Sequence, residues 1–399
     1  MAGAQAQQGR PATRDTSWLE VFGFAQADAI FDFNQNNPDW FDVNRPTKLP
    51  AFKNEFGGDN RTWLSARQTR FGVKASIPTK RYDLKTVFDF DLFGVGVDAG
   101  QTTIRLRHAY GQWGPVGAGQ LESPFMDLDV FPNILDYWGP NGMLFFRNVM
   151  VFYEPINNEK GFKAQIALER PGASGDGGRF ADRIELQNIV ARFPWPDLSA
   201  GVWYQDPKWG HVKLAGIVRS IRWDDVLADT LDLAGGTTGA GGSLSAFLKA
   251  GKNDVIRLQG VYGRGIQNYF NDAPIDIGVV TNPGNRRQPI LGEALPVWGA
   301  VAFLDHNWNK VWSTSLGYSG VWIDNSNGQR PEDFHVGQYG TLNLLSQPIP
   351  NVMIGGELQW GQRRNFGPID VNGNSFQVDD FRLQFSFKYS YSRKFEWEK

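Results

Sequence analysis

Along much of the chain, apolar and polar residues alternate one for one. Leu19, Val21, Gly23, Ala25, Ala27, Ala29, Phe31 and Phe33 are interleaved with a polar set that includes Glu20, Gln26, Asp28 and Asp32. Leu84, Thr86, Phe88, Phe90 and Leu92 oppose Lys85, Asp89 and Asp91, and Phe162, Ala164, Ile166 and Leu168 oppose Lys163, Gln165 and Glu169. The same holds for Ile256, Leu258 and Tyr262 against Arg257 and Gln259, and for Ile354, Leu358 and Trp360 against Glu357 and Gln359. From Phe381 to Tyr391 every odd position is Phe, Leu or Tyr and every even one is Arg, Gln, Ser or Lys. Side chains alternate across a strand, so these segments predict strands with one apolar and one polar face. Helical spacing of three and four residues recurs nowhere over comparable length.

The connections between these segments sort into two kinds. Tight breaks fall near residues 78–81, 113–115, 157–161, 206–208, 251–253, 307–310 and 348–351. Long polar or Gly-rich stretches cover 34–62, 94–102, 122–146, 171–195, 224–241, 267–293, 324–333 and 365–377. Seven short turns interleaved with eight long loops require sixteen strands, with both termini on the short-turn side. An even-numbered antiparallel meander with short turns at one rim and long loops at the other predicts an all-β, 16-stranded transmembrane β-barrel of the outer-membrane porin type. Trp18, Phe33, Tyr82, Phe93, Tyr389 and Tyr391 place rings at strand ends, where interfacial belts sit. The competing folds are a soluble β-sandwich, whose Greek-key connections do not sort loop length by end, and a propeller, for which no repeat of suitable length is visible.

Composition is compatible with this reading. The 399 residues are 41% hydrophobic and 14% aromatic, with 46 Gly and no Cys. Mean hydropathy is −0.38, and no run approaches the ~18 apolar residues of a membrane helix. A net charge of −2 with dispersed Lys and Arg gives no signal for nucleic acid. The expected organisation is a flexible segment 1–17, a barrel over 18–391 and a tail 392–399. The small-residue start is expected to lie near a removed export-signal cleavage site.

Sixteen tilted strands enclose more space than side chains fill, so an aqueous channel is expected. The stretch from Glu122 to Phe146 is too apolar for a solvated loop, and Pro124, Pro132 and Pro140 oppose hairpin pairing, so it is expected to fold inward as a constriction loop. Glu122, Asp127, Asp129 and Asp136 would bring negative charge to it, and Asp89 and Asp91 would add lumen carboxylates. Arg70, Lys74, Lys85, Arg105, Arg107, Arg257 and Arg382, with Lys388, share an inward strand phase. They either pair with the lumen carboxylates or form a basic ladder that favours anions; both can hold together. Gly23, Ala25, Ala27 and Ala29 are small where lipid favours bulk, which marks a candidate subunit interface.

No cofactor, metal site or enzyme activity is expected. There is no nucleophile motif, and the four His have no partner at motif spacing. The Gly-rich 235–242 stretch reads as a flexible loop. Asp370-x-Asn372-x-Asn374 and Asp324-x-Ser326 read as turn-forming Asx residues rather than calcium loops.

The stretches "GFAQADAIFDF", "RQTRFGVKASIP", "IRLRHAYGQWGPVGAGQ", "FMDLDVFPNILDYWGPNGMLFFRN" and "FRLQFSFKYSY" resemble the DcaP-like porins. The resemblance runs over nearly all of residues 20–391 and implies a homotrimer in the outer membrane of a Gram-negative bacterium. It also implies passive diffusion of small, hydrophilic, dicarboxylate-like anions, with Arg105 and Arg107 on the pore wall. Outer-membrane lipid and lipopolysaccharide would be the surrounding partners. Leu121-Glu122 departs from the family pattern by adding a carboxylate, and eight residues follow the terminal aromatic Tyr391. The alternative function is a structural or adhesive barrel that binds through its long loops.

Overall fold

The structure is a computed structural model that describes residues 16–158, 161–227, 229–368 and 373–398. Residues 1–15 of the expected N-terminal segment, and Asp370 and Asn372 of the Asx stretch, lie outside the described residues. The first strands are β1 (Thr16–Asp32), β2 (Arg61–Ser65), β3 (Arg70–Pro78), β4 (Asp83–Phe93), β5 (Thr102–Trp113), β6 (Val116–Glu122) and β7 (Arg147–Asn157). Next come β8 (Phe162–Glu169), β9 (Ile189–Arg192), β10 (Asp197–Asp206), β11 (Gly210–Asp225), β12 (Gly235–Ala250) and β13 (Asp254–Arg264). A hairpin of β14 (Ile277–Thr281) and β15 (Ile290–Ala294) precedes β16 (Pro296–Asn307), β17 (Trp312–Ile323), β18 (Phe334–Ile349), β19 (Val352–Pro368) and β20 (Ser375–Glu398).

All strands but β14 and β15 belong to one antiparallel sheet. Both β2 and β3 pair with β1, and both β9 and β10 pair with β11, so each couple is one interrupted stave. The sheet therefore has sixteen staves. It closes on itself where β1 pairs with β20 in unbroken register from Thr16↔Glu398 to Asp32↔Arg382. This register carries the last stave to Glu398, beyond the expected boundary at Tyr391: Ser392, Arg393 and Lys394 lie opposite Phe22, Val21 and Glu20. It also draws Thr16 and Ser17 into the first stave.

Burial runs opposite to that of a soluble protein. On β20, Phe381, Phe385, Phe387 and Tyr389 are 49–56% exposed, while Asp380, Arg382, Gln384 and Ser386 are at most 4% exposed. Apolar side chains face outward and polar ones inward, as a sheet immersed in hydrocarbon requires. The apolar core lies inside the barrel, between the folded-in loops and the wall. Phe125, Met126 and Leu144 of the 123–146 segment pack with Ile217, Val261, Val297 and Val321 of the wall.

Turn chemistry fixes the short rim. The β5–β6 connection is Gly114-Pro115, with Gly114 at φ +57°, and the β18–β19 connection is Pro350-Asn351, with Asn351 at φ +68°. Positive φ there needs Gly or Asn, and Pro presets the neighbouring dihedral. The 235–242 stretch is not a loop. It is the first half of β12, paired from Trp223↔Gly235 to Gly216↔Gly242. Its glycines serve packing: a Cβ on Gly235 would come within 2.8 Å of the Trp223 ring, and one on Gly236 would collide with the Arg222 side chain.

If hydrocarbon wets the outer face, Phe385→Arg lowers stability by up to about 2–4 kcal/mol while Phe385→Leu changes it little. Urea unfolding in lipid vesicles measures both. Equal effects of the two substitutions would contradict a lipid-facing position.

Candidate functional site

The 123–146 segment is held on the polar face of the wall by hydrogen bonds from widely separated staves. Glu357 of β19 accepts from the backbone N–H of Leu135 at 2.7 Å and of Asp136 at 3.0 Å. The Leu135 carbonyl accepts from Gln68 at 3.0 Å and from Gln384 at 3.2 Å. Asn343 donates to the Asn133 carbonyl at 2.8 Å, Gly142 N–H donates to Ser319 at 2.9 Å, and Leu144 N–H donates to Gln259 at 2.8 Å. A second grip comes from residues 266–272: Phe145 N–H donates to the Tyr269 carbonyl at 3.0 Å, and Asn271 N–H to the Met143 carbonyl at 2.8 Å. Val130, Ile134 and Met143 bury against Val301, Phe303 and Tyr339, and Tyr137 and Trp138 against Trp40, Val43 and Phe93. The apolar residues that made this stretch implausible as a solvated loop are the ones that pack.

Its carboxylates serve mainly to anchor it. Asp136 is buried and accepts from the backbone N–H of Asn44, Trp138 and Gly139 at 3.1–3.4 Å, and from the Tyr339 hydroxyl at 3.1 Å. Burial outweighs these partners and pushes its pKa up to about 6. Asp136 therefore does not present charge to the lumen, as its sequence position suggested; its oxygens are turned into the fold. Asp127, also buried, accepts from His211 at 2.9 Å and Ser245 at 2.5 Å. Burial opposes ionisation there too, but the hydrogen bonds and charge of His211, with Lys213 and Ser245, hold its pKa down to about 2. Asp129 keeps a largely open carboxylate, 3.7 Å from His211, while its carbonyl accepts from Arg257.

Three of the predicted basic residues are neutralised by carboxylates. Arg382 is fully buried in an ion pair with Asp32 at 2.5 Å. Arg257 pairs with Asp305 at 2.7 Å and Lys74 with Glu20 at 3.1 Å. These three contribute no net charge to the channel, because each faces a carboxylate on a neighbouring stave. Lys85 and Lys388 are half-buried, the latter 4.7 Å from the Phe24 ring.

The remaining arginines converge on one wall. Arg70, Asp91 and Arg105 occupy opposed ladder positions on β3, β4 and β5. Asp91 pairs with Arg107 at 2.7 Å and accepts the Tyr137 hydroxyl. Arg107 also donates to Tyr137 at 2.8 Å, and Arg105 approaches the same hydroxyl at 3.4 Å. A bulge shifts the register between Asp89↔His108 and Phe90↔Leu106, which turns Arg107 and His108 to the same side. His108 then bridges Asp89 at 2.6 Å and Glu122 at 2.5 Å. The carboxylate added by Glu122 is thus engaged by a histidine. Arg147, opposite Glu122 on β7, completes the group. Among the described residues, Arg70, Arg105 and Arg147 have no carboxylate within 4.0 Å, and Arg70 Nε, Arg107 Nε and Arg147 Nη1 are buried without hydrogen-bond partners.

Sequence reasoning missed Arg147, His108 and His211. Arg147 follows directly on the aromatic loop, outside any alternating run, and the two histidines gain partners only across strands. Asp89 and Asp91 are buried on the polar face of β4, as their alternation implied. On the outside, Ala25, Ala27 and Ala29 are exposed. Gly23 is not: a Cβ there would collide with the Arg70 carbonyl and lie 2.6 Å from the Tyr391 hydroxyl, so its small size serves packing within the chain.

Sixteen closed staves, an apolar exterior and a polar interior with a folded-in loop define an outer-membrane porin. The sequence matches the DcaP outer membrane protein family over residues 3–268, and the chain belongs to that family. No curated protein matches it in sequence. In structure it is similar to the outer membrane channel DcaP of Acinetobacter baumannii, with a TM-score of 0.74 at 17% identity, over 96% of this chain and 100% of that one. It is also similar to an anion-selective porin from Comamonas acidovorans, with TM-score 0.61, 12% identity and coverage of 94% and 100%. OmpT of Vibrio cholerae in its trimer form gives 0.55 at 10% identity, with coverage of 94% and 99%. The protein is an outer-membrane β-barrel of a Gram-negative bacterium.

Asp136 sets a pH signature. Its raised pKa means the folded form binds the proton more tightly than the unfolded chain, so its contribution to stability is present below about pH 4 and is lost as pH rises through about 6. Asp136→Asn removes that slope. Melting curves in detergent between these limits, combined with amide exchange at Trp138 and Gly139, measure it; an unchanged slope in the variant contradicts the assignment.

Proposed function

We propose that the chain is a passive, anion-preferring porin whose narrowest point lies between the 123–146 segment and the β3–β7 wall. One observation carries the reading: four guanidinium groups, Arg70, Arg105, Arg107 and Arg147, gather around only three carboxylates, Asp89, Asp91 and Glu122. An excess of fixed cations in a confined, low-dielectric passage lowers the entry barrier for anions. Unpaired guanidinium N–H groups suit carboxylates, which they bind with two parallel hydrogen bonds. Small dicarboxylates fit this arrangement, since a second carboxylate can reach a second arginine. The structural neighbour from Comamonas acidovorans is an anion-selective porin, which agrees in direction.

Arg105→Ala is expected to lower the anion-to-cation permeability ratio at least roughly twofold, because the group lies within a Debye length of passing ions. Zero-current potentials in planar bilayers under a salt gradient measure it, with succinate and a neutral solute compared in parallel. A sealed barrel or an unchanged ratio would overturn the reading.

The same proposal includes a homotrimer that packs the small outward residues Ala25, Ala27 and Ala29 of β1 against a second copy, surrounded by outer-membrane lipid and lipopolysaccharide. Ala27→Trp should then dissociate the oligomer in native mass measurements, and an intact trimer would argue against this face.

A further inference from the structure

The outer wall carries an apolar groove of about 550 Å³ on β8 and β10–β13. Its volume falls in the range of roughly 300–1,000 Å³ typical of small-molecule sites. The floor is the register row Ala200, Gly216 and Gly242, ended by Ile166 on β8 and Tyr262 on β13. The next row toward the long loops contains Leu198, Val218 and, at its end, Arg264. The row on the other side holds Leu214 and Leu244, 59% and 58% exposed. Large side chains thus wall a trough in which nothing rises above a methyl group.

The fold does not require those small residues. A Cβ on Gly216 would meet only the Gly241 carbonyl at 3.5 Å, and one on Gly242 only the Ala215 carbonyl at 3.8 Å. Glycine in a strand interior weakens it, so two adjacent glycines with room for side chains are a departure from what stability favours. Arg264 adds charge: it is exposed on the outward face at the long-loop end of β13 and lines the groove, with no carboxylate partner among the described residues. Arg222, four residues beyond Val218 on β11, is likewise exposed and has no carboxylate partner among the described residues. Long loops are extracellular in such barrels, so both guanidinium groups face the outer leaflet.

We propose that this groove binds an acyl chain of a phosphorylated outer-leaflet lipid, with Arg264 on the headgroup phosphate. A hydrocarbon chain fills the trough, and the cation at its rim supplies charge complementarity that a purely apolar surface lacks. A second copy of the chain is the competing occupant. The staves involved lie across the barrel from β1, so the proposal is independent of the solute reading and of the β1 interface.

The test uses the full-length protein refolded in detergent and titrated with lipid A or its dephosphorylated form, read by native mass spectrometry. Gly242→Leu and Gly216→Leu each fill the floor, and Arg264→Gln removes the charge. Wild type is expected to prefer lipid A, each leucine variant to bind it about tenfold more weakly, and Arg264→Gln to lose the preference for the phosphate. Heat-modifiable gel mobility and unchanged conductance identify folded variants, and the two leucine variants stand in for each other. Equal lipid binding by wild type and a folded leucine variant overturns the proposal. So does loss of oligomer mass in a leucine variant, which would make the groove a contact between copies.

Discussion

Hydrocarbon offers no hydrogen bonds, and the pairing of β1 with β20 is the answer to that constraint on which the rest of the structure depends. Without it two strand edges would stand in lipid with their N–H and C=O groups unpaired, each at a cost of several kcal/mol. The register from Thr16↔Glu398 to Asp32↔Arg382 removes both edges and fixes which residues face inward. Once the sheet is closed, every polar side chain of the inner phase shares one confined space. The ion pairs Arg382–Asp32 and Arg107–Asp91, like the Glu357 and Gln384 contacts to the loop, follow from that confinement.

Confinement also explains how an apolar loop can lie inside a polar barrel. The wall reaches the loop chiefly through its backbone: Glu357, Gln384, Asn343, Ser319 and Gln259 bond to main-chain groups. Buried peptide groups are thereby satisfied, while Phe125, Met143 and Leu144 are free to pack on Val261, Val297 and Val301. Anchoring through the backbone leaves the charge of the wall for other uses. On β3–β7, buried N–H groups of Arg70, Arg107 and Arg147 have no hydrogen-bond partner among the described residues.

Stave number, orientation of faces and the special character of residues 122–146 were legible in the sequence, because each depends on period-two alternation, loop length or local composition. What was not legible depends on side chains meeting across the sheet. His211 reaches Asp127 from 84 positions away, and Tyr339 reaches Asp136 from 203. Strict alternation failed at the bulge beside Arg107, where one extra residue turns His108 inward and lets it engage Glu122. Asp136 and Arg382 looked like pore charges because alternation and composition report direction but not partners. The Gly-rich start of β12 looked like a loop because glycine signals turns unless a neighbouring Trp or Arg claims the missing side-chain volume.

The glycines of β11–β13 separate two causes of the same residue choice. On the inner side, a Cβ on Gly241 or Gly263 would come within 2.5 Å of Ile266, so the packed loops demand glycine there. On the outer side, Gly216 and Gly242 have room, and a Cβ added to Gly260 would meet no atom within 4 Å. A strand that gives up β-propensity on its inner face does so to admit its own loops. On the outer face the same sacrifice is made at Gly216, Gly242 and Gly260, where the described residues leave room for a side chain.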